Sequence, residues 1–140
     1  VNDVILNKVQ IVQRCVHRAR EERASAGDAF RSDFSRQDAA VMNVVRACEA
    51  TIDLANVVVR KRRAGVPNTS ADAFRLLVQI GVLEEAIGER LARMVGFRNV
   101  AVHAYRALDL EIVERVLQEG LDDLLECCEQ LRRAGSIEFE

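Results

Sequence analysis

Apolar residues recur at spacings of three and four along nearly the whole chain, and alternation at period two is absent over any useful length. That pattern predicts an all-α protein. A first helix over 4–24 carries Ile5, Val9, Val12, Val16 and Ala19 as one stripe, with His17 off it. The segment 25–34, with Gly27, two Asp and two Phe, breaks the pattern; Phe30 and Phe34 are expected to fold back onto the bundle. Ser35 followed by Asp38 reads as the capping box of a long second helix, whose face is Val41, Val44, Val45, Cys48, Ile52, Ala55 and Val59. This helix should end near Gly65, with Arg60, Lys61, Arg62 and Arg63 in a last turn where cations suit the helix dipole. Val66, Pro67 and Asn68 form a turn, Thr69 or Ser70 caps a short helix bearing Phe74, Leu77 and Val78, and Gly81 closes it.

A further helix over 83–104 directs Ile87, Leu91, Met94, Val95 and Val102 inward. Arg98, four residues after Met94 and four before Val102, lands on or beside that stripe. The last helix, over 110–133 and capped by Asp109, shows Val113, Leu117, Leu121, Leu124, Cys128 and Leu131. The expected architecture is an antiparallel four-helix bundle with an additional short helix, its outer faces apolar enough to allow a dimer.

At 140 residues, 49% hydrophobic and 30% charged, the chain is expected to form one helical domain over 1–140 with a true core. No apolar run approaches the roughly 18 residues that cross a bilayer, and Asp3, Lys8 and Arg14 interrupt the first 20 positions, so a cytoplasmic protein without membrane contact is expected. Cys15, Cys48, Cys127 and Cys128 lack metal-ligand spacing, which predicts no metal site and reduced thiols. Cys127 and Cys128, about 100° apart on a helix, read as one core-edge and one flanking thiol.

The net charge of −2 conceals an asymmetry. Residues 1–108 hold 17 basic and 12 acidic side chains, giving +5, whereas 109–140 hold 3 and 10, giving −7. Eighteen of the 20 basic residues are Arg, the side chain that grips phosphate through a bidentate fork. A basic face suits nucleic acid or an acidic partner, and a solvated arginine-rich surface gives the same count.

The misplaced Arg98 opens the pattern RxxxxHxY, completed by His103 and by Tyr105, the only tyrosine. Around it, 93–105 carries Asn99 directly after the arginine. Together with 52–56, the turn at 65–67 and the segment 74–84, this stretch resembles the HepT-like ribonuclease toxins of the HEPN superfamily. Ala104 and Val57 depart from the family pattern, which often has an acidic residue at the first position and a polar one at the second.

The resemblance implies a metal-independent endoribonuclease with no cofactor, in which Arg98 and His103 are catalytic and Asn99 binds substrate. The side chains suit that chemistry. A base takes the 2'-hydroxyl proton, the oxygen attacks phosphorus, and a cation stabilises the developing charge. DNA, which lacks the 2'-hydroxyl, should resist. On one ideal helix Arg98 and His103 lie about 140° apart, so either the helix loosens before His103 or two protomers build composite sites at a twofold interface. The resemblance favours the homodimer. It also implies a partner, an MNT-type nucleotidyltransferase antitoxin that transfers AMP to Tyr105, which a continuing helix would place within about 20° of Arg98. The alternatives are a noncatalytic nucleotide- or RNA-binding subunit of a nucleotidyltransferase and, last, a structural adaptor.

Overall fold

In a computed structural model describing residues 2–137, the first stripe folds as α1 (Asn2–Ala26), with Ile5, Val9, Val12, Val16 and Ala19 all buried. A 3-10 turn, Gly27–Arg31, reverses the chain into α2 (Phe34–Arg62). Ion pairs joining Lys8 to Asp53 at one end and Glu22 to Arg36 at the other show that the two helices run antiparallel. The cap of α2 is Asp33, whose carboxylate accepts from the Arg36 amide, rather than the expected Ser35 and Asp38. Phe30 fills the corner, buried beneath the Arg23 guanidinium at 4.7 Å, while the Gln37 side chain donates to its carbonyl. With that space taken, Phe34 in the first turn of α2 stands 71% exposed, contrary to the expected fold-back.

The α2 face predicted from spacing is buried throughout, and the helix stops at Arg62 because Arg63 turns left-handed at φ 53°. Thr69 then forms a full capping box with Asp72 to start α3 (Ser70–Gln79). Its Phe74 and Leu77 pack against α2 and α4. Gly88 of α4 (Glu85–His103) faces Val78 so closely that a methyl group there would overlap it, which lets α3 lie flat on α4.

The last segment starts at Asp109, whose side chain accepts from the Glu111 amide, and runs through α5 (Leu110–Arg115), a π-turn (Val116–Gly120) and α6 (Leu121–Ile137). The π-turn interrupts the regular helix expected here, and Gly120 within it sits against Met94 of α4. Gly135 meets Ile5, Arg20 pairs with Asp122, and Arg90 pairs with Asp123; α6 is therefore antiparallel to both α1 and α4. The four long segments form the expected antiparallel bundle, with α3 laid across α2 and α4.

Two expectations about burial change. Cys127 and Cys128 are both buried, because α6 is covered by α1, α2 and α4 over an arc wide enough to enclose positions 100° apart. Val102 is 46% exposed, because the inward line of α4 passes through Phe97 and Ala101 at the true helical period. The charge asymmetry has an intramolecular component: Arg20, Arg23 and Arg90 pair with Asp122, Glu114 and Asp123 of the acidic last segment. Among the described residues, no helix is long and apolar enough to cross a membrane.

Candidate active site

The C-terminal half of α4 passes antiparallel to the N-terminal half of α2, and two cross-helix contacts mark the crossing. The Arg98 guanidinium, its side chain 25% exposed, donates to Glu49 and to Asn99 Oδ1, each at 3.0 Å. Its Nε is buried and has no hydrogen-bond partner among the described residues. The arginine is thus anchored from behind, and an anchored guanidinium presents its open edge to an anion with less loss of side-chain freedom.

About three turns from Glu49 toward the start of α2, Asp38 accepts a hydrogen bond from the Tyr105 hydroxyl. Tyr105 opens a short 3-10 turn, Tyr105–Ala107, just beyond α4. Beside it lies a small cavity of about 90 Å³ lined by Gln37, Val41, Leu108, Leu110 and Val113. Partial burial pushes the phenol up to about 12, helped by the hydrogen bond to Asp38 and by the carboxylate's charge. The chain has one Tyr and no Trp, so phenolate absorbance near 295 nm reports this residue alone. At pH 10, where an ordinary phenol is about half ionised, Tyr105 should remain mostly protonated; Asp38→Asn should raise the absorbance toward the half-ionised value.

His103 occupies the last turn of α4, exposed to solvent and with no hydrogen bond or ion pair among the described residues. The helix stays regular through it, closed by the Ala104 amide donating to Val100. It does not loosen between Arg98 and His103, so within one protomer the two side chains leave α4 on different sides. Because α4 ends at His103, the continuous-helix alignment of Tyr105 with Arg98 does not occur. The structure therefore brings together Arg98, Asn99 and Glu49, and separately Tyr105 and Asp38. Cys48, next to this cluster, is not a candidate nucleophile: burial pushes its thiol up to about 12, the charge of Arg98 opposing and that of Glu49 assisting. Among the described residues, no three His, Cys, Asp or Glu side chains are arranged to hold a metal ion.

Comparison with known proteins places the chain as a whole in a family. The family described as Ribonuclease HepT-like matches residues 8–131, which includes every residue of the site. The chain belongs to the HepT-like ribonuclease family. Similarity extends to the mRNA nuclease HepT of Shewanella oneidensis, 41% identical over 123 residues and covering 88% of this chain and 92% of that protein. Among solved structures, a tri-AMPylated Shewanella oneidensis HEPN toxin in complex with MNT antitoxin superposes with a TM-score of 0.89 at 37% identity, covering 95% of this chain and 99% of that one. A toxin-antitoxin complex with AMP-PNP gives 0.87 at 37% identity, with 94% and 99% covered.

Sequence reasoning about this HepT-like chain missed two acids. Asp38 read as part of a helix cap, and Glu49 carried no signal of its own. Their spacing of eleven residues is the clue that was available, since eleven residues bring a helix back to within about 20° of the same face. Two carboxylates thus line the side of α2 that meets α4.

Proposed function

We propose that this HepT-like ribonuclease is the toxin of a two-component pair and cleaves RNA without a metal ion through 2'-hydroxyl attack. His103 moves the proton, Arg98 stabilises charge on the phosphate, and Asn99 holds the guanidinium while binding substrate. One observation carries the reading: an anchored, partly open arginine and an exposed histidine, without a partner among the described residues, stand at the end of the same helix. Five residues of regular helix keep them from meeting within one protomer. The reading therefore includes a homodimer in which Arg98 of one chain faces His103 of the other. Met42, Val100 and Val102, all exposed around this end, supply apolar surface for such a contact. Tyr105 is the acceptor of AMP from an MNT-type nucleotidyltransferase antitoxin, and the added phosphodiester silences the site by charge and bulk. The Shewanella oneidensis complex, a tri-AMPylated toxin with its MNT antitoxin, supports this assignment.

The test incubates purified, unmodified protein with cellular RNA and with DNA of matched length in excess EDTA. RNA should be cut to fragments ending in 2',3'-cyclic phosphate and 5'-hydroxyl, and DNA should survive. Intact RNA under these conditions, or cutting only after Mg²⁺ is restored, refutes metal-independent cleavage. Intact RNA that nonetheless binds the protein favours the noncatalytic RNA-binding subunit.

A further inference from the structure

The site contains a carboxylate that RNA cleavage does not use. Asp38 projects from the exposed face of α2 and takes the hydrogen bond of Tyr105, 67 residues away, across the gap between two elements. The ring borders an apolar shelf formed by Val41, Leu108, Leu110 and Val113, and Asp38 is the charged side chain that acts on the hydroxyl. A phenol held in one orientation, still 44% exposed and donating to a carboxylate, is the arrangement of a nucleophile beside its base.

We propose that Asp38 is the general base for nucleotidyl transfer to Tyr105, so that the modified protein supplies its own proton acceptor. The inference rests on the reading of Tyr105 as the AMP acceptor. As the Tyr105 oxygen attacks the α-phosphorus of ATP held by the nucleotidyltransferase, the new oxygen–phosphorus bond forms and the bond to the α,β-bridging oxygen breaks. Pyrophosphate leaves with the electron pair, and the phenolic proton passes to Asp38. A neutral phenol is a weak nucleophile, and any tyrosine is neutral at physiological pH, with burial and this carboxylate making ionisation harder still. Attack therefore requires the proton to leave during the step, and Asp38 already accepts it.

The same contact cannot survive the transfer. A tyrosyl phosphodiester has no proton to donate, and its negative charge would face the Asp38 carboxylate. The product side chain is therefore driven off Asp38. One carboxylate would thus promote the modification and then expel its product.

The experiment follows incorporation of label from [α-³²P]ATP with Mg²⁺ and a purified MNT-type nucleotidyltransferase that modifies HepT-like chains. It compares wild type, Asp38→Asn, Asp38→Glu and Tyr105→Phe between pH 7 and 9. Asp38→Asn should lose on the order of 100-fold in transfer rate at pH 7, the usual contribution of a positioned base. Its rate should climb with pH as solvent removes the phenolic proton, whereas the wild-type rate stays nearly flat. Asp38→Glu should recover much of the loss, and RNA cleavage by unmodified Asp38→Asn should show that it is folded. Transfer to Asp38→Asn at the wild-type rate overturns the proposal and leaves Tyr105 as acceptor. A loss equal at every pH overturns the proton-transfer role, since it would make Asp38 only a tether for the ring. Labelling of Tyr105→Phe at the wild-type rate, or none of wild type, overturns the acceptor reading and the proposal with it.

Discussion

Mixing Arg98→Ala protein with His103→Ala protein should restore RNA cleavage to about one quarter of the wild-type rate, although each alone is nearly inactive. Alone, each variant should lose on the order of 10² to 10⁴ in rate, the range for a general base or a charge-stabilising donor. His103 is exposed and makes no hydrogen bond among the described residues, so its truncation leaves stability unchanged and the loss reports chemistry. Recovery on mixing follows from the composite site. If subunits exchange freely, about half the dimers are mixed, and in each of these one of two sites pairs an intact Arg98 with an intact His103. A mixture shown by mass spectrometry to have exchanged subunits, yet still inactive, would place each complete site within one protomer.

Phe74→Ala should lower unfolding stability by about 3 to 5 kcal/mol, read as a shifted urea midpoint at unchanged slope. Phe74 is fully buried, and α3 has only ten residues with which to hold its place on α2 and α4. Removing the ring loses its transfer free energy and opens a cavity beside Leu77 that a rigid bundle closes only in part. Phe34→Ala provides the internal contrast, because that ring is 71% exposed and its loss should change stability by less than about 0.5 kcal/mol. Equal losses in the two variants would mean that α3 is not seated in the core as described.

The stripes of the four long segments were legible, Val102 excepted, because burial follows the 3.6-residue period, and Ile5 to Ala19 and Val41 to Val59 are buried as their spacing requires. The start of α2 was not. Asp33 and Ser35 both have capping chemistry, and the choice falls to the 3-10 turn that buries Phe30 and brings Gln37 onto its carbonyl. Cys127 and Cys128 were misjudged for a related reason, since a helix enclosed on three sides buries more of its circumference than a surface helix does. At the site, the pattern linking Arg98, His103 and Tyr105 could be read from local spacing. Their partners could not: Glu49 and Asp38 lie 49 and 67 residues away, and only the crossing of α2 with α4 brings them near.

The buried thiols have a practical consequence. Cys48, Cys127 and Cys128 are almost fully enclosed, and burial is the main force raising each thiol well above its ordinary value. Thiolate is the form that alkylating reagents and peroxide attack, so the folded bundle shields these sulfurs both sterically and electrostatically. Cys48 belongs to α2 and the adjacent pair to α6, and alkylation of each site therefore clocks how often its own helix separates from the rest. The chain carries intrinsic gauges of breathing motion on two helices, readable by mass spectrometry without any engineered label.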